Sequence, residues 1–189
     1  MANVNGPYGF KPYQETLQVT PYYIESEYAT ALYIGDLVTL SGGYAIKATA
    51  GTDNSILGAI IGFENIDGTD GFAGYYPAST AGTWVALVAD DVHQRFMAQD
   101  DGVGTAMDLL DIGKTGNFIA THSGSTTTNL SGLELDGSSF SGTGQAVTDQ
   151  FRLIGLVGKS GNSAGANADW IVEIHNHYLR QENNVDATT

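Results

Sequence analysis

The chain has no cysteine among its 189 residues, which excludes disulfide staples, thiolate metal sites and cysteine nucleophiles. Basic residues are scarce as well: seven Lys and Arg stand against 21 Asp and Glu, a formal net charge of −14. Phosphate backbones repel such a chain, and it lacks the basic footprint of a nucleic-acid binder. An anionic membrane surface suits it no better. No run approaches the roughly 18 apolar residues that span a bilayer as a helix. The opening Met1-Ala-Asn-Val-Asn-Gly-Pro7 has neither the basic region nor the apolar core of a secretory signal, so the expectation is synthesis in a cytoplasm. Stability must then come from packing, β-ladders and oligomer contacts. The acidic balance fits solubility, and equally pairing with a basic partner.

Glycine is what the chain has in quantity. Its 25 residues, with Asn, Asp, Ser and Thr, interrupt the sequence about every eight to twelve residues, the rhythm of short strands joined by tight turns. Apolar runs such as Leu37–Leu40, Ile56–Phe63, Thr83–Ala89 and Phe151–Val157 are too short for most helices. Folding at this length hides about 70% of the unfolded surface, enough for a genuine core. The predicted fold is mainly β, a compact β-barrel or β-sandwich with an extended N-terminal arm and little helix.

Three parts are expected: an arm over 1–30, a β-barrel or sandwich over 31–180 with a long Ser/Thr/Gly loop at 123–149, and a polar tail at 181–189. The arm holds three of the four prolines (Pro7, Pro12, Pro21) and a crowd of aromatics. Proline favours extended backbone before it, and disordered segments are poor in aromatics. The reading is therefore an extended segment docked in a groove of its own domain or a neighbour's. Its candidate partner-binding residues are Tyr8, Phe10, Tyr13, Tyr22 and Tyr23, since aromatics dominate interface energetics.

Within the body, Ala31–Leu40 and Tyr44–Ala48 flank Ser41-Gly-Gly43 as a hairpin. The nearly all-apolar Ile56–Phe63 predicts a strand covered on both faces. Over Ala89–Asp101 the helical spacing of Trp84, Leu87, Val88 and Val92 competes with the strand-like alternation of Gln94–Ala98; the reading is strand, turn at Asp90-Asp91, strand, followed by a short helix or loop near Thr105–Leu110. Asn117–Thr121, Phe151–Gly158 and Ala168–Leu179 are further strands, and Leu130, Leu133, Leu135 and Phe140 anchor the long loop. A faint internal echo links Leu57–Gly62 with Ile154–Gly158. Trp84 and Trp170 are expected in the core.

Nothing selects an active site. His175 and His177 share a face if the strand continues through them, with Glu173 beside them, but a complete metal set is not evident. Asp67-Gly-Thr-Asp-Gly71 and Asp100-Asp-Gly102 resemble calcium-loop fragments without the oxygen ligands and closing Glu of an EF-hand, and turn chemistry accounts for both. Gly158-Lys-Ser-Gly161 lacks the spacing of a phosphate loop. No serine stands in a nucleophile elbow. The reading is non-enzymatic, with no catalytic residue, metal or cofactor assigned.

Several segments together carry a resemblance: Met1–Tyr13, Ala29–Val38, Asp90–Asp100, Ser131–Asp136, and Phe151–Val157 with Gly161-Asn162. They resemble the decoration, or cement, proteins of tailed-bacteriophage capsids. The resemblance implies a β-barrel-like domain with an N-terminal arm on the outer surface of an HK97-type shell. There it would bind the major capsid protein and its own copies, as a homotrimer, without nucleic acid or membrane. The alternative is another virion component, such as a tail, fibre or carbohydrate-binding adhesin module, which an exposed tryptophan shelf would favour.

Overall fold

The computed structural model describes residues 3–51, 53–67, 71–140 and 146–180. The predicted tail at 181–189 lies outside the described residues. Strand accounts for 38% and helix for 6%, so the chain is mainly β. In chain order the strands are β1 (Lys11–Pro12), β2 (Thr20–Ile24), β3 (Leu32–Tyr33), β4 (Leu37–Ser41), β5 (Tyr44–Lys47), β6 (Gly58–Asn65), β7 (Gly71–Ala73), β8 (Tyr75–Tyr76), β9 (Trp84–Ala89), β10 (Arg95–Gln99), β11 (Thr115–Gly116), β12 (Phe118–Ile119), β13 (Glu134–Leu135), β14 (Phe151–Leu156) and β15 (Asp169–Ile174). Among the described residues the helical segments are one four-residue α-helix, α1 (Gly137–Phe140), and two short 3-10 turns, Leu109–Asp111 and Tyr178–Arg180.

A six-stranded sheet runs β2-β9-β6-β4-β5, with β7 also on β6, and a five-stranded sheet runs β1-β10-β15-β14-β11. Every pairing within them is antiparallel. The outer strands β2 and β5 of the first sheet approach each other, so that sheet curls toward a barrel. Both sheets contain a bulge, between Ile60 and Gly62 opposite β9 and between Leu153 and Gly155 opposite β15. Each bulge lies on a strand of the Leu57–Gly62 and Ile154–Gly158 echo. An extra residue there strengthens the local twist.

Period-two alternation sorts the side chains into two cores. Val38, Ile60 and Val88 join Trp84, Phe63 and Tyr76 inside the curled sheet. Their neighbours Leu37, Ala59 and Ala89 point the other way, into a larger core with Phe96, Phe151, Trp170, Val172 and Ile174. Strand β6 is therefore buried on both faces at its start, as its apolar run predicts. Trp84 and Trp170 are 6% and 0% exposed, as expected of core residues.

The Gly-Gly hairpin forms as read: Ser41 pairs with Tyr44, and Gly42 and Gly43 have φ of +58° and +89°, both positive as a type I′ turn requires. The turn after Ala89 also forms, but β9 and β10 do not pair. They belong to different sheets, and the turn carries the chain from one to the other. Ala31–Leu40 is two strands rather than one, broken at Gly35-Asp36. The last strand ends at Ile174, short of Leu179. Helix α1 forms inside the predicted loop and ends at Phe140, and Leu133, Leu135 and Phe140 are fully buried or nearly so. Residues 141–145 of that loop lie outside the described residues.

Residues 3–24 run over the body of their own chain. Asn3 donates to the Ser163 and Ala166 carbonyls, and the Gly6 amide donates to Gln99. Strand β1 then pairs with β10, and β2 with β9, so this one stretch supplies an outer strand to each sheet. Phe10 is fully buried, stacked on Phe151 with centroids 4.8 Å apart and edge-on to Phe118 at 6.3 Å. Truncating a buried phenylalanine costs about 3–5 kcal/mol. Phe10→Ala should lose that much in urea unfolding, while a loss below about 1 kcal/mol would mean that the ring is outside the core.

Candidate functional site

The five aromatic candidates separate by burial. Phe10 is committed to the core. Tyr8 donates its hydroxyl to Asp169 Oδ1 at 2.7 Å, and burial, then Asp169, raise its phenol well above the ordinary value. Tyr13 is half-buried, its amide donating to the Arg95 carbonyl. On β2 the alternation separates neighbours. Tyr22 turns toward the smaller core and donates to Asp90 Oδ2 at 2.7 Å; burial, then Asp90, push its pKa up to about 12. Tyr23 points outward and is 55% exposed. Of the five, Tyr23 offers most surface to a partner.

Tyr23 borders a cleft of about 360 Å³ with Tyr44, Gly42, Gly43, Gly82 and Thr83. Tyr44, the first residue of β5, is 41% exposed. Side chains built on Gly42 or Gly43 would meet nothing within 4 Å, so the turn leaves one wall low. The cleft follows from three sequence features that no linear pattern joins: an outward tyrosine on β2, the tip of the β4–β5 hairpin, and the glycine before β9.

A second surface feature is a short 3-10 turn, Leu109–Asp111. Leu109, Leu110 and Ile112 are 58%, 85% and 45% exposed. This apolar knob is held firmly. Asp108 Oδ1 accepts from the Leu110 amide at 2.6 Å, Asp111 Oδ2 accepts from the Asp108 amide at 2.8 Å, and Lys114 Nζ donates to Asp111 Oδ1 at 2.7 Å. The reciprocal capping satisfies amides that would otherwise need water. The sequence reading placed only a helix or loop here; a Leu-Leu pair between aspartates looks the same whether its leucines are packed or bare.

The acids and histidines do not converge. Asp100 is buried and accepts from the amides of Gly102, Met107 and Asn167. Burial raises its pKa and these bonds partly restore it. It organises a loop, as Asp-Asp-Gly turn chemistry predicts. Glu134, also raised chiefly by burial, meets His122 Nδ1 at 2.7 Å. Lys159 of the Gly-Lys-Ser-Gly segment pairs with Asp169. Residues 68–70 of the Asp67–Gly71 fragment lie outside the described residues. His175 sits beside Arg152 at 3.2 Å, while His177 is buried beyond the end of β15 and does not share its face. Among the described residues no group of three or more His, Asp or Glu is arranged to hold a metal ion.

No family model, curated protein or solved structure matches the chain.

His177 has a measurable consequence. Its Nδ1 accepts from the Leu179 amide, and burial, then Arg180, push its pKa down to about 4. The unfolded chain takes up this proton near pH 6.5 and the folded chain only near 4. The stability that neutral His177 contributes is therefore complete above about 6.5 and lost as pH falls toward 4, by at most about 3 kcal/mol. His177→Asn keeps an acceptor for Leu179 and should flatten the fall in Tm between pH 7 and 5. An unchanged slope would show that His177 does not govern it.

Proposed function

We propose that this chain is a non-enzymatic structural protein of a virion, seated on the outside of a bacteriophage capsid. There it binds the major capsid protein and cements neighbouring subunits, its own copies assembling as a homotrimer. The observation that carries this reading is the rigid, solvent-facing Leu109-Leu110-Ile112 knob. Two backbone caps and an ion pair hold it in one conformation, so little entropy is lost when it docks. Each leucine buried against a partner contributes roughly 1.5–3 kcal/mol.

A cement must grip more than one neighbour. Leu17 and Val19, 53% and 42% exposed just ahead of β2, offer a second apolar contact on the other sheet from the knob. Many copies around a closed shell act together, so a modest affinity at each site is enough. The charge of −14 keeps unbound trimers soluble and suits a basic patch on the shell. The tryptophan shelf that a carbohydrate-binding adhesin would use is lacking, because Trp84 and Trp170 are both buried.

The experiment adds the protein to tailed-phage shells stripped of decoration and follows co-sedimentation and heat resistance. The wild-type chain should load and protect the shells. The triple variant Leu109→Ser, Leu110→Ser, Ile112→Ser, whose side chains lie largely outside the core, should keep its Tm and bind about tenfold or more weakly. No loading by the wild type, or equal loading by the variant, would contradict the reading.

A further inference from the structure

The residues that follow β15 rest on one buried ring. His177 is 1% exposed, and its Nδ1 accepts from the Leu179 amide at 3.1 Å. An amide can only donate, so Nδ1 is bare and the proton of the neutral ring sits on Nε2. That Nε2 is buried without a well-formed hydrogen bond, which opposes closure of the site. The bonds that close it are local. The Arg180 amide donates to the His177 carbonyl at 3.0 Å, and the Tyr178 amide to the Ile56 carbonyl at 2.8 Å. The Arg180 guanidinium meets His93 Nδ1 at 2.8 Å and Glu173 at 3.5 Å. Partly exposed pairs of this kind hold weakly.

A second proton has no place in the closed site. On Nδ1 it would aim one N–H at another, and the Leu179 amide would lose its acceptor. Burial, then the Arg180 charge, oppose an imidazolium there, while Asp90 and Asp91 on the turn after β9 favour one. The Asp90 carboxylate is already engaged, its two oxygens accepting from Thr20 and Tyr22. Protonation therefore requires the turn Tyr178–Arg180 to open. A three-residue turn opens locally well below the cost of global unfolding.

From this arrangement we propose that His177 is an acid-released latch. Uptake of a proton at Nδ1 breaks the bond to Leu179 and frees residues 178–180 while both sheets stay folded. Opening bares the backbone of Ile56, which bridges to His177, and lifts Tyr178 off the smaller core. The latch does not depend on the knob or on shell binding, and either can fail without the other.

The test follows amide exchange of the full chain by NMR from pH 6.5 to pH 4.5, corrected for the intrinsic pH dependence of exchange. An open His177 takes up its proton near pH 6.5, so each pH unit below that favours the open turn about tenfold. Protection of the Tyr178, Leu179 and Arg180 amides should fall about a hundredfold over the two units. The central amides of β9 and β15 should keep theirs. In proton–nitrogen spectra at pH 7 the His177 ring should carry its proton on Nε2. His177→Asn keeps an acceptor for Leu179 and has nothing to titrate, so its protection at 178–180 should not change with pH. The proposal is overturned by an Nδ1–H ring at pH 7 or by protection at 178–180 that stays constant in the wild type. It is overturned equally if β9 and β15 open in step with the turn, or if His177→Asn shows the same fall. Should that variant fail to fold, the ring proton and the wild-type exchange decide alone.

Discussion

Three distant stretches of chain cross at Gly9, Gly35 and Ser131, and a buried carboxylate closes the crossing. Asp36, fully buried, accepts from the Ser131 hydroxyl at 2.6 Å, the Tyr33 amide at 3.0 Å and Lys47 Nζ at 3.1 Å. The Phe10 amide donates to the Gly35 carbonyl at 2.9 Å, and the Gly35 amide to the Ile60 carbonyl at 2.8 Å. A side chain on Gly9 would stand 2.6 Å from the Gly35 carbonyl oxygen, and one on Gly35 only 2.8 Å from that of Tyr8. The backbones can approach this closely only as glycines. A buried charge tolerates such a place because it is paired, and removing a partner from such a group is strongly destabilising. From this crossing the N-terminal segment carries Phe10 into the larger core.

The same segment then serves the edges. A bare strand edge is a row of unpaired amides and carbonyls that invites other chains. Strand β1 covers β10 and β2 covers β9, so the first two strands close one side of each sheet before any partner arrives. Exposed apolar side chains lie at the margins of the body, among them the knob that leads into β11, and Leu17 and Val19 just ahead of β2. The knob is ordered by the paired Asp108 and Asp111 carboxylates rather than by a strand of its own.

Much of this was legible in the sequence, and the limits have physical causes. The alternation Trp170, Val172, Ile174 and the Gly42-Gly43 turn are local signals, and they predicted a buried strand and a hairpin correctly. The Asp90-Asp91 turn was equally local, but which sheet its two strands join is decided by partners far along the chain. Phe10 and Tyr8 were read as partner-facing because hydrophobicity tells that a ring must be buried, not in whose core. Tyr22 and Tyr23 differ only by strand phase, which became fixed once β2 paired with β9. The exposure of Leu109 and Leu110 could not be read at all, since it depends on what the rest of the fold leaves uncovered.

The account stands on the N-terminal stretch being a fixed part of its own chain's two sheets. Native-state hydrogen exchange of the isolated protein tests this directly, at the amides of Phe10 and Tyr13, which donate to Gly35 and Arg95. The account predicts that both exchange as slowly as the central amides of β9 and β15, through global unfolding. Exchange at the rate of an unstructured peptide, with β9 and β15 still protected, would contradict it.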